Sequence, residues 1–189
     1  MVTGTPGVGK TSVSTLLASK LVARRIDLAQ IVKKEELTKG LDEKRNTLIA
    51  DISRLSKRVN EIIRNCEQNI VVDGHYSVDV VPSRSVFLVF VLRRDPLELK
   101  NVLEERGFTG AKLWENLEAE ILDVCLWDAI KADGVEKVCE IDCTGKTVEQ
   151  SVEEVVSIIE GNEKCRTGIV DWLGKLESEG LVDYFLKNL

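Results

Sequence analysis

The chain has 189 residues, 43% hydrophobic and 31% charged, with a formal net charge of −6. That length carries one substantial core rather than two independent domains, and the balance is ordinary for a soluble globular protein. No stretch approaches the roughly 18 apolar residues of a membrane span, and an acidic chain is not built chiefly to cover nucleic-acid phosphates. The expectation is therefore a soluble cytoplasmic protein without a secretory leader, whose surface suits a basic protein partner; the oligomeric state is left open, with a monomer as the default.

In chain order, the first feature is MVTGTPGVGKTS, in which Gly4, Gly9, Lys10 and Thr11 fill the fixed positions of a phosphate-binding loop. Glycines at positions 4, 7 and 9 let backbone N–H groups approach a triphosphate, Lys10 reaches the β/γ phosphates and Thr11 ligates Mg²⁺. Val13, Leu16, Leu17 and Leu21 follow at helical spacing, so the loop opens a helix whose N-terminus faces the same anion.

Short apolar runs then alternate with helical patterns: Val2-Thr3, Ile26 to Leu28, Asn69 to Asp73, Val86 to Leu92 and Val138 to Ile141. This alternation predicts an α/β fold, a parallel five-stranded sheet flanked by helices. VFLVFVL is apolar throughout and reads as the central strand. Residues 29–46 are charged and interrupted by Gly40, and residues 48–66 repeat apolar positions at helical spacing, which reads as a mobile subdomain over the sheet edge. Residues 97–107 predict a helix stopping at Gly107, GFTGAK a short lid, and residues 112–130 one long helix striped by Leu113, Leu117, Ile121, Cys125 and Ala129. Residues 147–160 predict another helix, and residues 168–189 two short helices broken at Gly180 that pack on the same domain.

The second metal-ordering carboxylate of such a site comes from the end of a neighbouring strand, and QNIVVDGHY supplies Asp73. His75 stands at the alternate position, on the same side of an extended backbone, where a neutral imidazole can orient an attacking water. Arg106 beside the lid is the first choice for a cation that clamps the transferred group. Arg93 follows the long apolar strand and Lys33 sits in the subdomain, while Lys34 and Arg94 read as exposed cations. Residues 142–146, with Thr144 and Gly145, form a polar turn suited to a nucleobase. The five cysteines contain no C-x-x-C pair and His75 is the one histidine, too few ligands for zinc. Reduced, structural cysteines are expected, with Cys139 and Cys143 the pair that oxidation could join.

With TGTPGVGKT at 3–11, VVDGHY at 71–76, FVLRRD at 90–95, and ERGF followed by KLWENLEAEI at 105–121, the chain resembles the adenylate kinase isoenzyme 6 family. The resemblance covers residues 1–160 and leaves 161–189 as a C-terminal helical extension. It implies an adenylate-kinase-like P-loop fold with a monophosphate-binding region over 27–50 and a zinc-free lid over 105–115. It further implies the reaction ATP + AMP ⇌ 2 ADP with Mg²⁺, slow ATP hydrolysis, and work in small ribosomal subunit maturation. Gly7, Val8, Gly9, Lys10, Thr11 and Ser12 would hold ATP phosphates, Arg106 would contact ATP, and Thr144 and Gly145 would border its base. Lys33 and Arg93 would meet AMP, Thr11 and Asp73 the metal, and Asp73 and His75 the hydrolytic centre. The implied partner is a basic ribosomal protein of the uS11 type, with indirect rRNA contact. Relatives commonly carry arginine where this chain has Lys33, a point charge without a bidentate fork.

Overall fold

The computed structural model describes residues 1–42 and 47–186. Its strands are β1 (Val2–Thr3), β2 (Arg24–Asp27), β3 (Thr38–Asp42), β4 (Thr47–Ala50), β5 (Ile70–Asp73), β6 (Val89–Arg93) and β7 (Val138–Asp142). The helices are α1 (Lys10–Lys20), α2 (Leu28–Lys34), α3 (Ile52–Arg64), α4 (Ser77–Val80), α5 (Pro96–Glu105), α6 (Gly110–Ile121), α7 (Val124–Asp133), α8 (Val148–Ile159), α9 (Trp172–Ser178) and α10 (Val182–Phe185).

The five apolar runs form one parallel sheet in the order β2-β5-β1-β6-β7. Alternate side chains feed two cores: Phe90 and Leu92 pack with α1, α5, α6 and α8, while Val89 and Val91 pack with α2, α3, α4 and α7. Every residue of β6 is buried, as its apolar run requires. The middle of the order is nonetheless β1, and β6 is its inner neighbour. Because β1 is only two residues long, it pairs at Val2 with Asp73 and Phe90 and leaves the amino ends of β5 and β6 apart. A cavity of about 450 Å³ lined by Val2, Ile70, Val71, Phe87 and Leu88 lies at that end.

Three expectations change. Residues 48–66 are not one helix: β4 pairs antiparallel with β3, and α3 starts after Asp51, whose carboxylate accepts from Arg54 N–H. Part of the monophosphate-binding region, residues 43–46, lies outside the described residues. The helix expected over 112–130 is two, because Asp123 adopts φ 58° between α6 and α7. Finally, Cys139 is bonded to Cys165 rather than to Cys143, whose thiol is buried and free. Both ends of that bond lie where the chain after α8 returns along β7, Glu140 N–H donating to Arg166 C=O at 2.8 Å.

The C-terminal helices break at Gly180, and Trp172, Leu176 and Phe185 are buried in the α1/α5/α6/α8 core. Phe185 stacks edge-on with Trp114 and Tyr184.

Candidate active site

The glycine-rich loop joins β1 to α1 at the carboxyl end of the sheet, where parallel α/β sheets bind ligands. Gly4 has φ 132°, and a Cβ there would lie 2.5 Å from Leu92 C=O, so only glycine lets the loop turn against β6. Gly9, the N-cap of α1, has φ 105°, and a Cβ would meet nothing among the described residues within 4 Å. That open space beside the first N–H groups of α1 is a cradle for an anion. Lys10 folds back over the loop, its Nζ donating to Gly4 C=O at 2.7 Å and Thr5 C=O at 2.9 Å. Burial lowers the ammonium pKa to about 8, and Arg106 adds to that lowering against the opposing charges of Asp73 and Glu120. Arg106 is therefore within electrostatic reach of the loop from the C-cap of α5.

Asp73 ends β5, is 4% exposed, and accepts from Ser14 Oγ at 2.9 Å. Its second partner, Arg25, was not anticipated. Arg25 Nη2 contacts Asp73 Oδ2 directly and lies 2.9 Å from Asp27 Oδ2, while Nε donates to Ser14 Oγ at 2.8 Å. Asp27 and Asp73 are register partners across β2 and β5. The signal was present: Arg25 and Asp27 alternate on one face of a strand, and Ser14 stands one helical turn after Lys10.

His75 is exposed where the chain leaves β5, and its carbonyl accepts from Thr3 Oγ1 at 3.3 Å. Partial loss of solvation beside its neighbours, and then the Lys10 charge, hold the imidazole pKa below its usual value even though the residue is surface-accessible, so the ring is neutral at neutral pH. Thr11 and Ser12 are exposed in the first turn of α1, Val8 is buried, and Lys33 is exposed in the last turn of α2. Thr144 Oγ1 is engaged with Asp142 Oδ1 at 2.6 Å and Asp95 N–H at 2.9 Å; Gly145 is exposed.

Arg93 requires a correction. It is 2% exposed and is ringed by Glu120, Glu140 and Asp123, with Nε 2.9 Å from Glu120 Oε1. A guanidinium held on three sides inside the core is a structural hub and is not available to AMP. Its partner Glu120 is the other unanticipated residue, accepting from Thr5 Oγ1 at 2.7 Å and Trp172 Nε1 at 3.1 Å. Through Glu120 the loop, the end of β6 and the C-terminal helix share one buried polar cluster.

For Mg²⁺ the donor set fits: a buried carboxylate whose described bonds are on Oδ2, and an exposed hydroxyl at Thr11, both beside an anion cradle.

Comparison with known proteins gives the family of the chain. Residues 1–123 match the family model described as AAA domain. A protein of Methanocaldococcus jannaschii named "Putative adenylate kinase" is 40% identical over 174 residues, covering 92% of each chain. One of Thermococcus kodakarensis with the same name is 42% identical over 172 residues, covering 90% of each. Among solved structures, shikimate kinase of Bacteroides thetaiotaomicron superposes with a TM-score of 0.57 at 18% identity, over 84% of this chain and 96% of that one. A gluconokinase of Sinorhizobium meliloti gives 0.52 at 16% identity, over 85% and 90%. These two show the P-loop kinase fold alone. The chain belongs to the AAA-domain family that the family model describes, within the adenylate-kinase-like group formed by these archaeal relatives.

Proposed function

We propose that the protein is an adenylate kinase of the isoenzyme 6 type. It transfers the γ-phosphoryl group of ATP to an α-phosphate oxygen of AMP, breaking the β–γ P–O bond and yielding two ADP. The observation that carries this reading is the open space at Gly9 beside the start of α1, with Lys10 folded over the loop and within the electrostatic influence of Arg106 and the buried carboxylate Asp73. Phosphoryl transfer asks chiefly for positioning and for cations around the migrating group, and these residues supply both. Gly7, Val8 and Gly9 would wrap the ATP phosphates with backbone N–H groups, Ser12 would add a hydroxyl, and Thr144 and Gly145 would border the base. Lys33 would meet the AMP phosphate. Mg²⁺, held by Thr11 and Asp73, would neutralise polyphosphate charge. Residues 1–160 are the kinase domain and 161–189 its packed extension.

A second activity, ATP hydrolysis, is favoured by the neutral His75 beside Lys10, since an imidazole that is not already protonated can accept a proton from water. The acidic balance suits a basic partner, and the family resemblance makes this a small-subunit ribosomal protein of the uS11 type, in ribosome maturation in the cytoplasm or nucleus.

Chromatographic analysis of products from Mg²⁺ATP with and without AMP tests the reading. ADP formed at twice the rate of AMP loss is expected. ADP and free phosphate at a rate indifferent to AMP would replace the kinase with an ATPase, and no turnover of either kind would overturn both.

A further inference from the structure

Two carboxylates standing side by side across β2 and β5 would repel one another and attract a cation. In this chain a guanidinium lies between them: Arg25 Nη2 touches Oδ2 of both Asp27 and Asp73. Its Nε holds Ser14 Oγ, which in turn donates to Asp73 Oδ2, so the arrangement is closed by hydrogen bonds and fixed in direction. The Arg25 side chain is 21% exposed and that of Asp27 17%, so the cluster borders solvent and is not sealed in the core. An arginine stays charged at any working pH, and its planar fork suits such a bridging position.

We propose that Arg25 is a positioning residue acting as the resident counter-ion of the Asp27/Asp73 pair, which keeps free divalent metal out of the crevice until a nucleotide brings it. The proposal rests on the reading of Asp73 as the carboxylate that meets the metal–nucleotide complex. Without nucleotide, a metal ion at Asp73 must displace a charge-assisted contact and its hydrogen-bonded support. With nucleotide, the polyphosphate supplies negative charge of its own, so capture no longer depends on the two aspartates alone. The same guanidinium links Asp73 to the acceptor side of the crevice. Asp27 Oδ1 accepts from Gln30 N–H at 3.0 Å and so caps α2, the helix that carries Lys33.

The test uses Mn²⁺ as the probe, followed by the loss of its free-ion paramagnetic resonance signal on adding full-length, nucleotide-free protein. The parent is expected to bind Mn²⁺ weakly. Arg25→Met should bind it at least about tenfold more tightly, the scale of a lost hydrogen bond to a charged group. Arg25→Lys should restore exclusion, and adding Asp73→Asn to Arg25→Met should abolish the gain. Arg25→Gln serves in place of the methionine variant if circular dichroism shows that one unfolded. Tight Mn²⁺ binding by the parent overturns the proposal without any variant, and so does an unchanged affinity in the folded Arg25 variants. Titration of Mn²⁺ATP against Asp73→Asn separates the two levels. Undiminished affinity there removes Asp73 from the metal site, whereas a loss there with no Mn²⁺ gain at Arg25 removes the counter-ion role alone.

Discussion

Arg25 and Arg93 both sit among carboxylates, yet the two regions around them behave as different materials. Arg93 is sealed under α6 and the C-terminal helices, and each carboxylate it meets in the core is itself held elsewhere. Glu140 Oε2 accepts from Gly168 and Ile169 N–H, and Glu120 from Thr5 and Trp172. Arg25 stands at the rim of the crevice with water within reach. Burial therefore decides which ion cluster is structural and which can exchange partners: in the core no solvent compensates a broken pair, and at the rim it does.

Substitution at the buried cluster should have the largest effect. Arg93→Met leaves the Glu120 and Glu140 charges unpaired in the core and is expected to cost about 3–5 kcal/mol of stability. Denaturant unfolding followed by Trp172 fluorescence would measure it, and a loss under about 1 kcal/mol would show that the cluster is not holding the C-terminal helices.

A smaller effect is expected from pH. The Lys10 pKa of about 8 in the unliganded protein means that raising pH through that value removes the charge the polyphosphate needs. Bound phosphate favours the protonated amine, so Mg²⁺ATP affinity should be level below pH 7 and fall by up to about tenfold per unit above pH 8. Lys10→Arg, charged throughout, should flatten the profile. A parent affinity unchanged from pH 7 to 9.5 would contradict the buried ammonium.

The smallest effect should be at the rim. Arg25→Met is expected to cost about 1–3 kcal/mol of unfolding free energy, less than Arg93→Met, because the buried Asp73 loses one charge-assisted contact but keeps Ser14 Oγ, while Arg25 and Asp27 are partly solvated. A loss matching that of Arg93→Met would erase the distinction between the two regions.

Much of this was legible in the sequence because apolar periodicity reports the core directly. β5, β6 and β7 follow it, as do the break at Gly180 and the burial of Trp172, Leu176 and Phe185, whereas β2 begins at Arg24, two residues before the apolar run, and yields Leu28 to α2. The glycine-rich loop was readable because its geometry leaves few alternatives to glycine. The β3–β4 hairpin was not, since exposed Leu41, Leu48 and Ile49 among charged residues carry no strand alternation facing a core. Arg93 misled because a basic residue after an apolar strand reads as a crevice residue. Its carboxylate partners Glu120, Asp123 and Glu140 are distant in sequence and meet it only through the packing of α6 and β7. Glu120 was missed for the same reason, and although the Arg25/Asp27 alternation is local, the pairing with Asp73 and Ser14 that gives it meaning crosses elements. The Cys139–Cys165 bond likewise depends on the chain returning along β7 after α8.

The central claim is that the loop from Gly4 to Thr11 cradles the polyphosphate of a nucleotide at the carboxyl end of the sheet. Calorimetric titration of Mg²⁺ATP into the parent and into folded Lys10→Met tests it most directly. Saturable one-site binding is expected for the parent and a loss of at least about tenfold for the variant, the scale of a removed charge-assisted contact. Equal affinity in the two proteins would contradict it.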